Sequence, residues 1–304
     1  ATGEISAYKI EQIMQNAHLA MKRNNDHNTT QTIVFNPELK TQASSKLLLE
    51  TELRDAITNN SLELHYQPLI NLQNGLISGF EALARWNSSK RGNVSPLEFI
   101  SLAEEVGLII PLGEWALNKA CNQLKSWIDN DPLAANLFMA INISSSHILT
   151  GDITSLTRDA LAKSGLKGNN LKLELTESTI MENSDIAQNI LLDLKTLGIS
   201  LAVDDFGTGY SSLSYLSHIP ADTIKIDRSF VKKINSHSEG LNIIRVIINL
   251  ANSLGMTVIA EGIETEEQLI ILKKLGCHYG QGYFFSKALT ADKVPEYIQK
   301  QVIK

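Results

Sequence analysis

Asp204 and Asp205 stand side by side where the apolar run Ile199-Ser200-Leu201-Ala202-Val203 ends, just ahead of the glycine-punctuated turn Phe206-Gly207-Thr208-Gly209. Adjacent carboxylates at the exit of a buried strand have the disposition of metal ligands. Five other strand-like segments finish on a polar side chain: Glu81 after Gly79-Phe80, Asn142 after Met139-Ala140-Ile141, Glu174 after Leu171-Lys172-Leu173, Lys225 after Thr223-Ile224, and Glu261 after Val258-Ile259-Ala260. Any one of these, taken alone, reads as a cap, a turn former or a solvated surface residue. Their recurrence at the same end of successive strands is what a barrel active site requires.

Gathered around one centre, Glu81, Glu174, Asp204, Asp205 and Glu261 would repel one another until protonated or neutralised by cations. With Asn142 they form an all-oxygen donor set, which selects hard ions, so Mg²⁺ or Mn²⁺ is expected. So many oxygens exceed what one Mg²⁺ takes while keeping waters, which argues for two ions bridged by a carboxylate of the Asp pair. Two ions about 4 Å apart drive displacement at phosphorus. Lys225 is placed to orient or deprotonate the attacking water, with nearby ions pulling its pKa down. Arg85, four residues after Glu81 and on the same face of an extended strand, can fork onto a phosphate.

These residues need a scaffold that brings strand ends together. From about residue 62, short apolar runs alternate with helix-period segments. Strands are expected at about 62–69, 77–86, 137–143, 171–176, 199–204, 222–227, 256–261 and 277–285, the number that closes a barrel. Leu197-Gly198, Leu254-Gly255 and Leu275-Gly276 each offer a glycine to end a helix and return the chain to a strand. Thr265 and Gln268 form a capping box at the start of another helix. A doubly wound open sheet is the competing architecture, but its glycine-rich dinucleotide turn is absent. Ahead of the barrel, 5–23 reads as an amphipathic helix, Asn24 through Thr30 as a polar break, and 45–57 as a second helix.

The 304 residues, 43% of them hydrophobic, suffice for one large domain plus a short extra segment, assigned as 45–304 and 1–44. A formal charge of -6 supplies no bulk basic field for nucleic acid or anionic lipid. Cys121 and Cys277 have neither zinc-ligand nor disulfide-framework spacing, which suits a reducing cytosol and buried thiols. No apolar run is long enough to span a bilayer. The start Ala1-Thr2-Gly3, without an initiator methionine, suggests a fragment of a longer protein with any anchor elsewhere.

The stretch Gly79-Phe80-Glu81-Ala82-Leu83-Ala84-Arg85-Trp86 resembles the signature of EAL-domain cyclic di-GMP phosphodiesterases. So do Tyr66-Gln67-Pro68, Leu173 through Ser178, Asp204 through Leu213, Lys225-Ile226-Asp227, Ala260 through Thr265 and Gln281-Gly282-Tyr283. The similarity runs over about 47–300. It implies a (β/α)8 barrel, typically with an antiparallel first strand, that hydrolyses cyclic di-GMP to linear pGpG. It further implies one ion held by Glu81, Asn142, Glu174 and Asp204, and a second served by Asp204, Asp205 and Glu261. Lys225 would assist the water, Gln281 would order the site, and Gln67, Leu83 and Arg85 would contact substrate. Glu264 would tether the loop from Phe206 to Leu213, and the 206–218 region would form a homodimer contact. Ca²⁺ is expected to inhibit.

Every catalytic position carries the family's residue type, which separates this chain from degenerate members that only bind the dinucleotide. Two departures stand out: His147 where a glutamine is common and Ala288 where a proline is common. Asp227 is equally readable as supporting the site or as structural. Ala17 through Arg23 is similar to the last helix of a GGDEF domain, which implies a parent with tandem GGDEF and EAL modules, cytoplasmic or tethered to the inner membrane. The competing functions are a non-catalytic cyclic di-GMP receptor and an enzyme silent until a second domain activates it.

Overall fold

A computed structural model describes residues 37–59, 61–150, 152–182, 184–208, 216, 218–234 and 238–301, together with 14, 16 and 17. The chain divides into two compact units, 1–59 and 60–304. In the first, a helix, α1, runs Pro37–Thr58, starting earlier than expected and passing through residue 44 without interruption. The helix expected over 5–23 lies almost wholly outside the described residues.

The second unit opens with β1 (Leu62–Asn71) and β2 (Ile77–Ser88), paired antiparallel. Asn71 Oδ1 accepts the Gln73 and Asn74 N–H groups, at 2.9 and 3.3 Å, and fixes the turn between them. A short β3 (Gly92–Val94) pairs back onto β2 and was not anticipated from the sequence. Then β4 (Phe138–Asn142), β5 (Leu171–Thr176), β6 (Ser200–Phe206), β7 (Thr223–Ile226), β8 (Thr257–Ala260) and β9 (Tyr279–Gly280) follow, helices lying between them. From β2 through β9 all neighbours along this series are parallel. β9 meets β1 antiparallel, which closes an eight-strand (β/α)8-type barrel with its first strand reversed and β3 attached outside.

The eighth strand is only two residues long, against 277–285 expected. Past Gly280 the chain turns to pair with the segment after β8: Ile263 N donates to Gln281 O at 3.0 Å and Phe284 N to Ile263 O at 2.9 Å. A side chain at Gly282 would collide with the Ile263 backbone, so this close approach requires glycine. The Leu-Gly helix endings are as expected, with Gly198, Gly255 and Gly276 all at positive φ. So is the Thr265–Gln268 capping box, which opens the helix Glu266–Lys274.

Side chains alternate across each strand, so the wall has two faces. Phe80, Ala82, Met139, Ile141, Leu173, Leu201, Val203, Ile224 and Val258 point outward into the main core, between sheet and helices. The helix Ile109–Asn130 contributes Leu117, Cys121, Leu124 and Trp127 to that layer. Trp127 meets the Tyr66 ring edge-on at 4.8 Å. The inward face carries little hydrocarbon: Leu69, Ala140 and Ile259, with Phe138 and Tyr279 beside them, form a separate small cluster. Above that thin apolar layer the inward positions turn polar.

Both thiols are buried, and burial pushes Cys121 and Cys277 each up to about 12. In the native protein at neutral pH, neither should react with an aromatic disulfide reagent, and both should react once the chain is unfolded. Rapid labelling of either thiol in the folded state would contradict this packing.

Candidate metal centre at the mouth of the barrel

Period-two alternation carries the inward face of each parallel strand up to its C-terminal end, and the seven parallel strands, β2 and β4 to β9, each deliver a polar group at or just past it. Glu81 on β2 is held on both oxygens: Asn142 Nδ2, at the end of β4, donates to Oε1 at 2.7 Å, and Gln281 Nε2, just past β9, donates to Oε2 at 2.6 Å. Gln281 Nε2 also donates to Gln67 Oε1 at 3.0 Å, and Gln67 lies directly opposite Glu81 in the β1–β2 register. Lys225, on β7 and 1% exposed, sits among four carboxylates. Its Nζ lies 2.6 Å from Glu174 Oε2, 2.7 Å from Glu261 Oε1, 3.0 Å from Asp204 Oδ2 and 3.9 Å from Glu81 Oε1.

Strict alternation would send Asp205 to the opposite face from Asp204. Two features prevent that. The β6–β7 register slips between Val203 and Phe206, and Asp205 takes φ 53°, the only positive φ at a non-glycine residue among those described. Its N–H then donates to Asp204 Oδ1 at 2.8 Å. This left-handed kink is a local cost of the kind that concentrates at functional sites. It brings ligand oxygens of Asp204, Asp205 and Glu261 within 4.8 Å of one another.

Burial penalises these charges. It drives the Glu174 carboxyl well above the usual range, with Lys225 pulling the other way and Glu81 and Asp204 adding to the rise. Burial likewise takes Glu261 up to about 7 against the pull of Lys225. Asp205 is raised first by burial, then by Asp204 and Asp227. For Lys225 burial works downward, but Glu174, Glu261, Glu81 and Asp204 outweigh it and hold the ammonium well above its ordinary value. The protein groups alone therefore keep Lys225 protonated, the reverse of the effect expected from neighbouring ions.

Divalent cations fit this donor set. Glu174 Oε1 is buried and has no hydrogen-bond partner, a costly state for a carboxylate oxygen unless something else satisfies it. Around it the donors are oxygens alone, the choice of Mg²⁺ and Mn²⁺.

The other expected residues are placed as follows. Leu83 and Arg85 continue the Glu81 face of β2 outward, both half-buried, and Arg85 Nη1 donates to Ala84 O at 2.8 Å. Glu264 is exposed, its backbone N–H donating to Gln268 Oε1 at 2.8 Å. The loop it is expected to tether lies largely outside the described residues, and at the described start of that loop Glu177 Oε2 accepts the Gly207 N–H at 2.9 Å, while its buried Oε1 has no partner. Glu177 lies inside the quoted Leu173 through Ser178 stretch, yet its spacing from Glu174 gives no hint of this role. Asp227 caps the helix Arg228–Lys232 through Ser229 N at 2.9 Å.

His147 is buried against Gly113, with Nδ1 2.8 Å from Ser144 Oγ and Nε2 3.3 Å from Ile110 O, so it belongs to helix packing. Ala288 is half-buried beside Leu289, which exchanges backbone hydrogen bonds with Tyr66 at 2.7 and 2.9 Å. The segment expected to pair in a dimer lies largely outside the described residues, at 209–215 and 217.

Comparison with known proteins places this geometry. The family model for the EAL domain matches residues 50–288. The bifunctional diguanylate cyclase/cyclic di-GMP phosphodiesterase MucR of Pseudomonas aeruginosa is 37% identical over 93% of this chain and 41% of its own length. Cyclic di-GMP phosphodiesterase PdeR of Escherichia coli is 38% identical over 92% of this chain and 42% of its own length. The chain thus spans about two fifths of these relatives. Among solved structures, the MucR phosphodiesterase of P. aeruginosa in complex with c-di-GMP superposes with a TM-score of 0.78 at 38% identity, covering 81% of this chain and 99% of that one. The EAL enzyme Bd1971, bound to cAMP and cyclic di-GMP, gives 0.81 at 37% identity over 96% of this chain and 77% of its own. The chain is therefore a member of the EAL-domain family.

Proposed function

We propose that this barrel hydrolyses cyclic di-GMP, opening one phosphodiester bond to give linear pGpG. The observation that carries the reading is the ring of Glu81, Asn142, Glu174, Asp204, Asp205 and Glu261, buried at Glu81, Glu174 and Asp204 and open to solvent at Asn142 and Asp205, in which one carboxylate oxygen is unpartnered and three carboxylates converge. The names of the relatives MucR and PdeR, both called cyclic di-GMP phosphodiesterases, support the same substrate.

In this reading Glu81, Asn142, Glu174 and Asp204 hold one Mg²⁺ or Mn²⁺, and Asp204, Asp205 and Glu261 serve a second, directly or through water. Bound there, the ions supply a hydroxide at neutral pH and positive charge for the phosphorane-like transition state. Lys225, kept as an ammonium by its carboxylate neighbours, orients the attacking water by donating to it. Gln281 fixes both the Glu81 carboxylate and Gln67, so an amide expected to contact substrate is tied to the metal ligand. Arg85 takes a phosphate on the outer part of the same face, beside Leu83. Glu177 anchors the start of the loop that follows Asp205, and Glu264 serves the loop beyond Thr208.

Residues 1–44 are assigned to the end of a GGDEF-like domain and its linker, 45–304 to the phosphodiesterase barrel, and the 206–218 region to a homodimer contact. Among the described residues no helix is long and apolar enough to cross a membrane. We place the barrel in the cytoplasm, with no nucleic-acid or membrane contact of its own.

Three outcomes test the reading. Exhaustive chelation should abolish conversion of cyclic di-GMP to pGpG, Mn²⁺ or Mg²⁺ should restore it, and Ca²⁺ should compete; product formation undiminished by chelation would contradict it. Glu174→Gln should cost at least about a hundredfold in turnover, while the melting temperature without added metal should not fall by a comparable margin. Wild-type turnover in that variant would remove Glu174 from the site. Glu177→Ala, which removes the acceptor for the Gly207 N–H, should weaken Mn²⁺ binding by roughly tenfold, read by calorimetry without nucleotide, and unchanged binding would show that the Gly207 tether does not support the second ion.

A further inference from the structure

Lys172 is the buried charge that this mechanism leaves unused. It lies on β5, two residues before Glu174 and on the same inward face, and is 5% exposed. Its ammonium turns toward the closed end of the barrel, 4.6 Å from the centre of the Phe138 ring and 5.9 Å from that of Tyr279. Among the described residues its hydrogen-bond partner is the Thr223 hydroxyl at 3.0 Å, which meets Thr257 Oγ1 at 2.9 Å. Thr257 in turn donates to Asp222 O at 3.2 Å. The Asp222 carboxylate is already engaged, accepting Lys195 Nζ on both oxygens at 2.7 Å and Leu201 N at 2.8 Å. Its charge is thereby largely answered from outside the barrel.

A buried ammonium is expensive to desolvate, and one neutral hydrogen bond with two ring faces offsets only part of the cost. What lies above it is the acidic ring. Among the described residues Lys225 is the cation that contacts this ring of five carboxylates, reaching Glu81, Glu174, Asp204 and Glu261. Burial pulls Lys172 down to about 8, with Glu174 and then Asp222 opposing it, so the ammonium persists at neutral pH.

We propose that Lys172 is a built-in counter-cation beneath the acidic ring, one that stabilises the ring in the absence of ions and lowers its affinity for divalent metal. It acts through the interior field and touches neither substrate nor ligand oxygens, so it is a positioning residue. The proposal rests on the reading of the ring as a metal site. A positive charge one layer below that site repels each incoming divalent ion, in an interior that screens less than water does. Metal occupancy is then tuned from the floor of the barrel, by a residue remote from the substrate cleft.

The test uses the chain as it is, stripped of metal and titrated with Mn²⁺ by calorimetry at neutral pH without nucleotide. Lys172→Met keeps the volume while removing the charge, a replacement that buried ionic positions often tolerate. Lys172→Gln removes the charge and keeps a polar tip, so it decides the matter should the methionine variant fail to fold. Thr223→Val removes the hydrogen bond and leaves the charge. Both Lys172 variants should bind Mn²⁺ more tightly, by on the order of tenfold, and should melt at a lower temperature than wild type without metal while the gap narrows with Mn²⁺. Thr223→Val should bind Mn²⁺ as wild type does. Affinity unchanged or weakened in a folded Lys172 variant would overturn the proposal, as would an equal gain in Thr223→Val. Failure of the wild type to bind Mn²⁺ at all would instead overturn the metal-site reading.

Discussion

Mutual repulsion among carboxylates packed at one end of a narrow barrel is the constraint on which the rest of this molecule depends. Glu174 and Lys225 are almost fully enclosed, and Glu81 and Asp204 are buried beside them. Desolvation adds to the repulsion and raises Glu174 and Glu261 toward protonation. In the protein itself the answer is Lys225, which touches three of the carboxylates at 3.0 Å or less. A single ammonium cannot balance the whole ring. Divalent ions bound there would supply the missing charge and a partner for Glu174 Oε1, so under the proposed function the electrostatic problem and the chemistry have one solution.

Barrel closure makes that concentration of charge possible. An eight-strand barrel leaves room inside for side chains alone. Here the interior holds a thin apolar layer of Leu69, Ala140 and Ile259, while the stabilising hydrocarbon lies outside, between wall and helices. The fold can afford a polar interior because its main core is elsewhere. The site is thus supported by rigid strands, with the loop after Asp205 attached to it through Glu177 and Gly207.

Much of this was legible in the sequence because parallel strands write their ends plainly: an apolar run that stops on Glu, Asp, Asn or Lys marks both a strand and a mouth position. The Leu-Gly helix endings and the Thr265 capping box are local rules and survived intact. What sequence reasoning missed depends on distance or on backbone geometry. The short β3 pairs only because the β2 hairpin places Gly92–Val94 beside it, and β9 is cut short by contact with Ile263. Asp205 reaches the same face as Asp204 through a bulge and a positive φ that no periodicity announces. Glu177 finds Gly207 across thirty residues of sequence. Lys172 stands two residues before Glu174 and so on its face by period two, but nothing local says which groups its ammonium meets there.

The central claim is that the acidic ring is a paired divalent-ion site. Anomalous diffraction from crystals grown with Mn²⁺ and cyclic di-GMP tests it most directly. The account predicts two anomalous peaks, one within coordination distance of Glu81, Asn142, Glu174 and Asp204, the other beside Asp205 and Glu261, with Lys225 Nζ drawn away from the carboxylates that take the ions. Crystals with the dinucleotide bound, Mn²⁺ present and no anomalous density among these oxygens would contradict it.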